Sequence, residues 1–233
     1  MSYREHAPAP GLAPWLACIW ERRADGPPVR VLPDGCVDVV WIEGAETLIV
    51  GANTTAFSVS LRAGTRVVGA RLLPGAAPAL LGVTGEAVRD ARVPVQAVWA
   101  TEGARLAATL DEHSDPVDGL RAALLARAAL AERPDPLVRE AVSRLARPPV
   151  AISGLAAELS VSERHLRRRV SAAVGYGPKR LARVLRLAAA LEAARAGDDL
   201  ARVAIDAGYA DQAHFTNDCR ALAGVPPSVV LGS

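Results

Sequence analysis

The chain has 233 residues, 27 Lys and Arg against 25 Asp and Glu, a net charge of +2, and 51% hydrophobic residues. These are the proportions of an ordinary soluble protein, long enough for two modest domains with real cores. They exclude a membrane-spanning segment, and the start Met1-Ser2-Tyr3-Arg4-Glu5-His6 lacks the apolar run of a signal peptide, so a cytoplasmic protein with no membrane partner is expected. Cys18, Cys36 and Cys219 are far apart and odd in number, which fits neither a disulfide framework nor a zinc site; no metal and no cofactor are expected.

The first part of the chain has short β-prone runs broken by glycine and proline. Arg30–Leu32, Cys36–Ile42, Thr47–Val50, Ser58–Leu61 and Arg66–Leu72 read as strands, with turns at Pro33-Asp34-Gly35 and at Gly44. A small β-barrel or a curved sheet is predicted. Pro74–Gly82 then reads as a short proline-started helix with Leu80 and Leu81 inward, and Val93–Trp99 as a turn and another short helix.

Residues 103–113 and 116–131 carry Leu106, Leu110, Leu120, Leu124 and Leu125 at helical spacing. Their apolar surface packs on the sheet or on a second subunit. Leu137–Leu145 is a further predicted helix, leading to a hinge at Arg147-Pro148-Pro149. Residues 1–115 are therefore expected to form a β-rich sensing domain and residues 116–147 a helical connector.

Residues 148–233 have a different pattern, helix–turn–helix twice over. In the first copy Leu155, Leu159, Leu166 and Val170 form apolar stripes, Ser162 is placed to cap the second helix, and Glu163 adds negative charge to its first turn. That helix leaves Arg164, Arg167 and Arg168 on the opposite side, three and four residues apart. Guanidinium forks suit guanine edges and phosphates. A solvated charged face is the ordinary reading of such a helix, but the short turn before it and the repeat after it favour DNA.

The second copy runs from Leu200 to Ala223. Asp198 or Asp199 caps its first helix, Gly208 ends it, Asp211 caps the next, and Val203, Phe215 and Leu222 supply core contacts. Between the copies, Gly177–Glu192 predicts one helix with Leu181, Leu185, Ala188 and Leu191 as its stripe. At roughly 17 residues it spans about 25 Å. It could hold two reading helices about one turn of B-DNA apart, roughly 34 Å. The fold class is thus α+β: an N-terminal small β-barrel or curved sheet with helices, then an all-α tandem helix-turn-helix domain.

The spacing, the linker helix and the ending Gly208-Tyr209-Ala210-Asp211-Gln212-Ala213-His214-Phe215 through Gly224-Val225-Pro226-Pro227 resemble AraC/XylS-type transcription regulators. The resemblance covers roughly residues 148–230. It implies that Arg164, Arg167 and Arg168 face bases or adjoining phosphates of double-stranded promoter DNA, with Gln212, Ala213, His214 and Asn217 in the matching places of the second unit. His214 is as much a packing or phosphate-contacting residue as a base contact.

The family usually has Arg or Lys at the place of Asn217, an aromatic at that of Cys219, and a Tyr-Arg pair where this chain has Val229-Val230. Those departures make the second reading helix poorer in positive charge. Gln212 and Asn217 can pair with adenine, whereas Ala213 can only touch a thymine methyl. Residues 148–233 hold eleven cations against eight anions and the rest of the chain sixteen against seventeen, so clustering matters more than net charge.

Leu32–Trp41 with Pro74–Ala77 and Val93–Val95 resembles an uncharacterised domain often fused to such readers. By analogy this implies a sensing or dimerising role. Trp20, Asp38, Trp41 and Trp99 are candidate residues of an effector pocket for a small molecule, with Trp15 a further aromatic; for at least two of the four tryptophans a core position is the plainer reading. The resemblance also implies contact with the transcription machinery, and a homodimer is permitted.

The chain is not expected to be an enzyme. Some AraC-type readers carry an N-terminal cysteine that accepts a methyl group from damaged DNA, but Cys36 lies between Asp34 and Asp38, whose charges weaken thiolate formation. Asp34 and Asp38 lack a companion histidine for hydrolysis. A DNA-modifying or repair protein is the alternative to a regulator, and an architectural DNA binder a weaker third.

Overall fold

The computed structural model describes residues 3–147 and 151–232, so Pro148 and Pro149 of the expected hinge lie outside the described residues. The N-terminal part contains β1 (Tyr3–His6), β2 (Leu16–Arg23), β3 (Val29–Val31), β4 (Asp38–Ile42), β5 (Leu48–Val50), β6 (Phe57–Val59), β7 (Arg66–Leu72) and β8 (Arg92–Pro94). Six strands form an antiparallel sheet in the order β1-β2-β7-β4-β5-β8, and β3 pairs with β6 in a separate ribbon. The sheet is open, with β1 and β8 as its edges, rather than a closed barrel.

The sequence reading placed β7 correctly and came close on β3 to β6 but passed over β1, β2 and β8. β2 carries Arg22 and Arg23 and β8 ends on a proline; both become strands because the neighbours β7 and β5 supply their hydrogen bonds.

Helices cover one face of the sheet. Short α1 (Ala77–Leu81) buries Leu80 and Leu81 as expected, and α2 (Gly85–Val88) follows, capped by Thr84. Then comes α3 (Val95–Glu112), which breaks at Ala100 into the two helical pieces read from the sequence. α4 (Pro116–Ala128) packs on β2 and β7, which settles where Leu120 and Leu124 point; Leu125, expected beside them, is exposed. α5 (Pro136–Leu145) buries Val138, Ala141 and Leu145 and packs on the next domain.

That domain consists of α6 (Ile152–Glu158), α7 (Glu163–Val174), α8 (Pro178–Arg195), α9 (Leu200–Asp206), α10 (Gln212–Ala223) and α11 (Pro227–Leu231). Val203, Phe215 and Leu222 are core residues, as read. On α8 the buried stripe is Leu181, Val184, Leu187 and Leu191 rather than Leu181, Leu185, Ala188 and Leu191; Leu185 and Ala188 are half-buried. Because α8 packs against α5, α7, α9, α10 and α11, burial wraps around it instead of following one stripe.

The main apolar cluster runs without interruption from the sheet through α5 into both helix-turn-helix units. A smaller cluster of Cys18, Trp20, Val40 and Val67 lies on the outer sheet face. Among the described residues no helix is long and apolar enough to cross a membrane.

Candidate nucleic-acid interface

The two units are built alike at their turns. After α6, Val161 N–H bonds to the Ala156 carbonyl at 3.0 Å, and after α9, Tyr209 N–H bonds to the Ala204 carbonyl at 2.8 Å. Each closes the Schellman arrangement that satisfies a free carbonyl at the helix end. The left-handed residue this requires is Gly208 in the second unit, with φ 79°, and Ser160 in the first, with φ 55°. Ser162 then caps α7 by accepting from His165 N–H at 3.2 Å, and Asp211 caps α10 by accepting from His214 N–H at 2.7 Å. Of the two candidates for α9, Asp199 is the cap.

Leu166 and Val170 are fully buried on α7, so Arg164, Arg167 and Arg168 are turned to solvent. Arg167 pairs with Glu163 at 3.3 Å, and Arg168 lies 3.5 Å from His165 Nδ1. Arg164 has no ion-pair partner among the described residues. The neighbouring Arg169 is occupied otherwise, by an ion pair of 2.6 Å to Asp135. Asp135 also caps α5, which fixes that helix to the first unit.

On α10, Gln212, Ala213, His214 and Asn217 are exposed along one side, while Phe215 and Cys219 are in the core. His214 Nδ1 accepts a bond from Ala210 N–H at 3.3 Å, and its ring meets Tyr209 edge-on at 5.2 Å. A neutral imidazole held this way keeps its proton on Nε2, as a donor directed away from the turn. Cys219 fits where an aromatic is usual because its thiol bonds to the Val225 carbonyl; burial pushes its pKa up to about 11.

Asp218 was missed in the sequence. Its buried carboxylate accepts from Arg183 Nε at 2.9 Å, Arg186 Nη2 at 3.2 Å and the Tyr209 hydroxyl at 3.1 Å. It joins α8, the turn after α9 and α10, and so fastens α10 to the linker helix. The signal lay in three arginines three residues apart on α8, which look like a solvated face until α10 is packed beside them.

The N-terminal part holds both α7 and α10 at their C-terminal ends. Arg89 donates to the Gly175 carbonyl after α7 at 3.1 Å, and Arg30 donates to the Ala223 carbonyl of α10 at 3.0 Å. Helix C-termini carry free carbonyls and partial negative charge, which suits a guanidinium. Gly85 of α2 lies so close to α7 that a Cβ there would be 2.5 Å from the Ala173 carbonyl oxygen.

Trp20, Asp38, Trp41 and Trp99 do not share one pocket. Trp20 and Asp38 lie on the outer face of the sheet, whereas Trp41 and Trp99 belong to the main core on the other face. Alternation along β4 separates them, since neighbouring strand residues face opposite ways. The indole N–H of Trp41 donates to Asp111 at 2.8 Å, that of Trp99 to the Leu81 carbonyl and that of Trp15 to the Glu132 carbonyl.

Asp38 lies 3.7 Å from Arg71, and burial pushes its carboxyl up to about 7 against the pull of that guanidinium. The Cys36 thiol is held well above its ordinary range, by burial first and then by Asp34 and Asp38. It is a poor nucleophile.

Residues 155–232 match the helix-turn-helix domain family, and residues 4–94 match a domain of unknown function, DUF6597. No curated relative matches the sequence. Among solved structures, a probable AraC family transcriptional regulator from Rhodopseudomonas palustris aligns at 24% identity over 42% of this chain and 96% of its own, with a TM-score of 0.37. An apo variant of ToxT from Vibrio cholerae aligns at 13% identity over 92% of this chain and 97% of its own, with a TM-score of 0.52. ToxT bound to (E)-4-(8-methylnaphthalen-1-yl)but-3-enoic acid aligns at 12% identity over 100% and 99%, also with 0.52.

Proposed function

We propose that this chain, whose residues 155–232 match a helix-turn-helix domain family, is an AraC-type DNA-binding transcription regulator that reads two adjacent major-groove segments of promoter DNA. The observation that carries this reading is the pair of helix-turn-helix units with the same turn hydrogen bond and a capped second helix, packed on α8 at either side, the second fastened to it by Asp218. Arg164, Arg167 and Arg168 read bases and phosphates of one segment; Gln212, Ala213, His214 and Asn217 face the other. Phosphate contacts set position and base contacts set sequence preference.

Residues 1–115 and 116–147 form the sensing and connecting parts in this proposal, and a small molecule bound there alters DNA affinity. The arginine contacts at the ends of α7 and α10 supply the route, because a displaced Arg30 or Arg89 releases one reading helix from its support. Homodimerisation and contact with the transcription machinery belong to the same proposal.

The test is selection of binding sequences from a random DNA pool by the full-length protein, with affinities measured at two salt concentrations. Two boxes about one helical turn apart, bound far more tightly than random DNA, are expected. A single box would restrict base reading to α7, and the absence of any motif would overturn the proposal.

A further inference from the structure

Between the two reading units opens a cleft of about 690 Å³. Its walls include Arg147 from the end of α5, Ile152 of α6, Lys179 and Arg183 of α8, and His214 and Asn217 of α10. Arg183 and Arg186, both lining the cleft, are tied to Asp218, the one carboxylate there. Arg147 and Lys179 are exposed and have no anionic partner among the described residues. The cleft therefore keeps an excess of positive charge, since no carboxylate among the described residues pairs with Arg147 or Lys179. Clustered cations of this kind repel one another and raise the local concentration of anions.

The position of the cleft identifies the anion. His214 and Asn217, on the exposed side of α10 in the second unit, and Ile152, at the start of α6 in the first, both line it. A duplex that offers successive major grooves to α7 and α10 must carry its backbone across the space between them. We propose that this cleft seats the phosphate backbone between the two major-groove segments, with Arg147 and Lys179 as positioning residues. The inference rests on the two-segment reading above. It accounts for a second reading helix poor in cations, since the charge that holds DNA near Asn217 comes from α8 and α5. It also makes the seat a joint product of two modules: α5 is fixed to α7 through Asp135 and brings Arg147 with it.

The experiment compares the full-length protein with Arg147→Ala, Lys179→Ala and the double variant, on the selected operator and on random duplex, over a range of salt. Each substitution should weaken both DNAs alike, by about fivefold near 0.15 M salt, and reduce the slope of log K against log salt by about 0.9. A thermal melt checks that the fold is unchanged. An operator with uncharged methylphosphonates at the phosphates between the two boxes should bind the wild type more weakly and leave the double variant unaffected. An unchanged salt slope, a loss confined to the operator, or an equal methylphosphonate penalty in wild type and double variant would each overturn the backbone seat. Failure of the wild type to select any sequence would instead overturn the underlying two-segment reading.

Discussion

Arg167 and Arg168 are exposed on a capped helix whose other side is fully buried, so removing either guanidinium leaves the fold intact. Arg167→Ala or Arg168→Ala should weaken operator binding by about 1–3 kcal/mol if the contact is a bidentate base pairing, measured against random duplex. An equal loss on both DNAs would assign that residue to phosphate. Asn217→Arg should strengthen binding, and no gain would place α10 away from the groove. Asp38 gives a prediction in pH. Its folded pKa, about 7, lies above the ordinary carboxylate value, so its stabilising contribution is complete below about pH 4 and is lost as pH rises through 7. Thermal melts should show stability falling by the order of 2 kcal/mol from pH 5 to pH 8 on its account, and Asp38→Asn should remove that fall.

At the scale of elements, the two units offer an internal comparison. Gly208 takes the left-handed turn position without steric cost, whereas Ser160 takes it against the clash of its Cβ. Ser160→Gly should therefore raise the melting temperature, by about 0.5–1 kcal/mol in stability after the added backbone freedom of the unfolded chain is subtracted. A lower melting temperature would mean that the serine hydroxyl contributes more than the strain costs. The helices of this domain were legible because their signals are local: Ser162, Asp199, Asp211 and Pro178 lie within a turn of the ends they define. β1 and β8 were not legible, because a short strand of polar residues or one ending in proline is stabilised by its neighbours in the sheet rather than by its own pattern, and β2 runs from a continuous apolar stretch into Glu21, Arg22 and Arg23 without the alternation that marks a strand.

At the scale of the molecule, one core joins the sheet to both helix-turn-helix units, and Gly85 lies against the end of α7 where a Cβ has no room. Gly85→Ala puts a methyl group against the α7 backbone and should destabilise that contact by about 1–3 kcal/mol. The expected result is a single wild-type melting transition that splits or broadens, with far-UV helix signal retained at room temperature. A variant that melts as the wild type does would show that α2 and α7 can separate without loss.

What the sequence by itself determined is the tandem helix-turn-helix arrangement: two helix pairs, the proline-started helix between them and the three arginines on α7. Each depends on periodicity and on capping residues adjacent in the chain. Only the tertiary structure decided that Asp218 fastens α8 to α10, that Arg30 and Arg89 hold the ends of α10 and α7, and that Trp20 and Asp38 lie on the opposite face of the sheet from Trp41 and Trp99. Those partners are separated by 32 to 193 residues, or stand on alternating faces of one strand. Only the packing of distant segments brings such residues together or sets them apart.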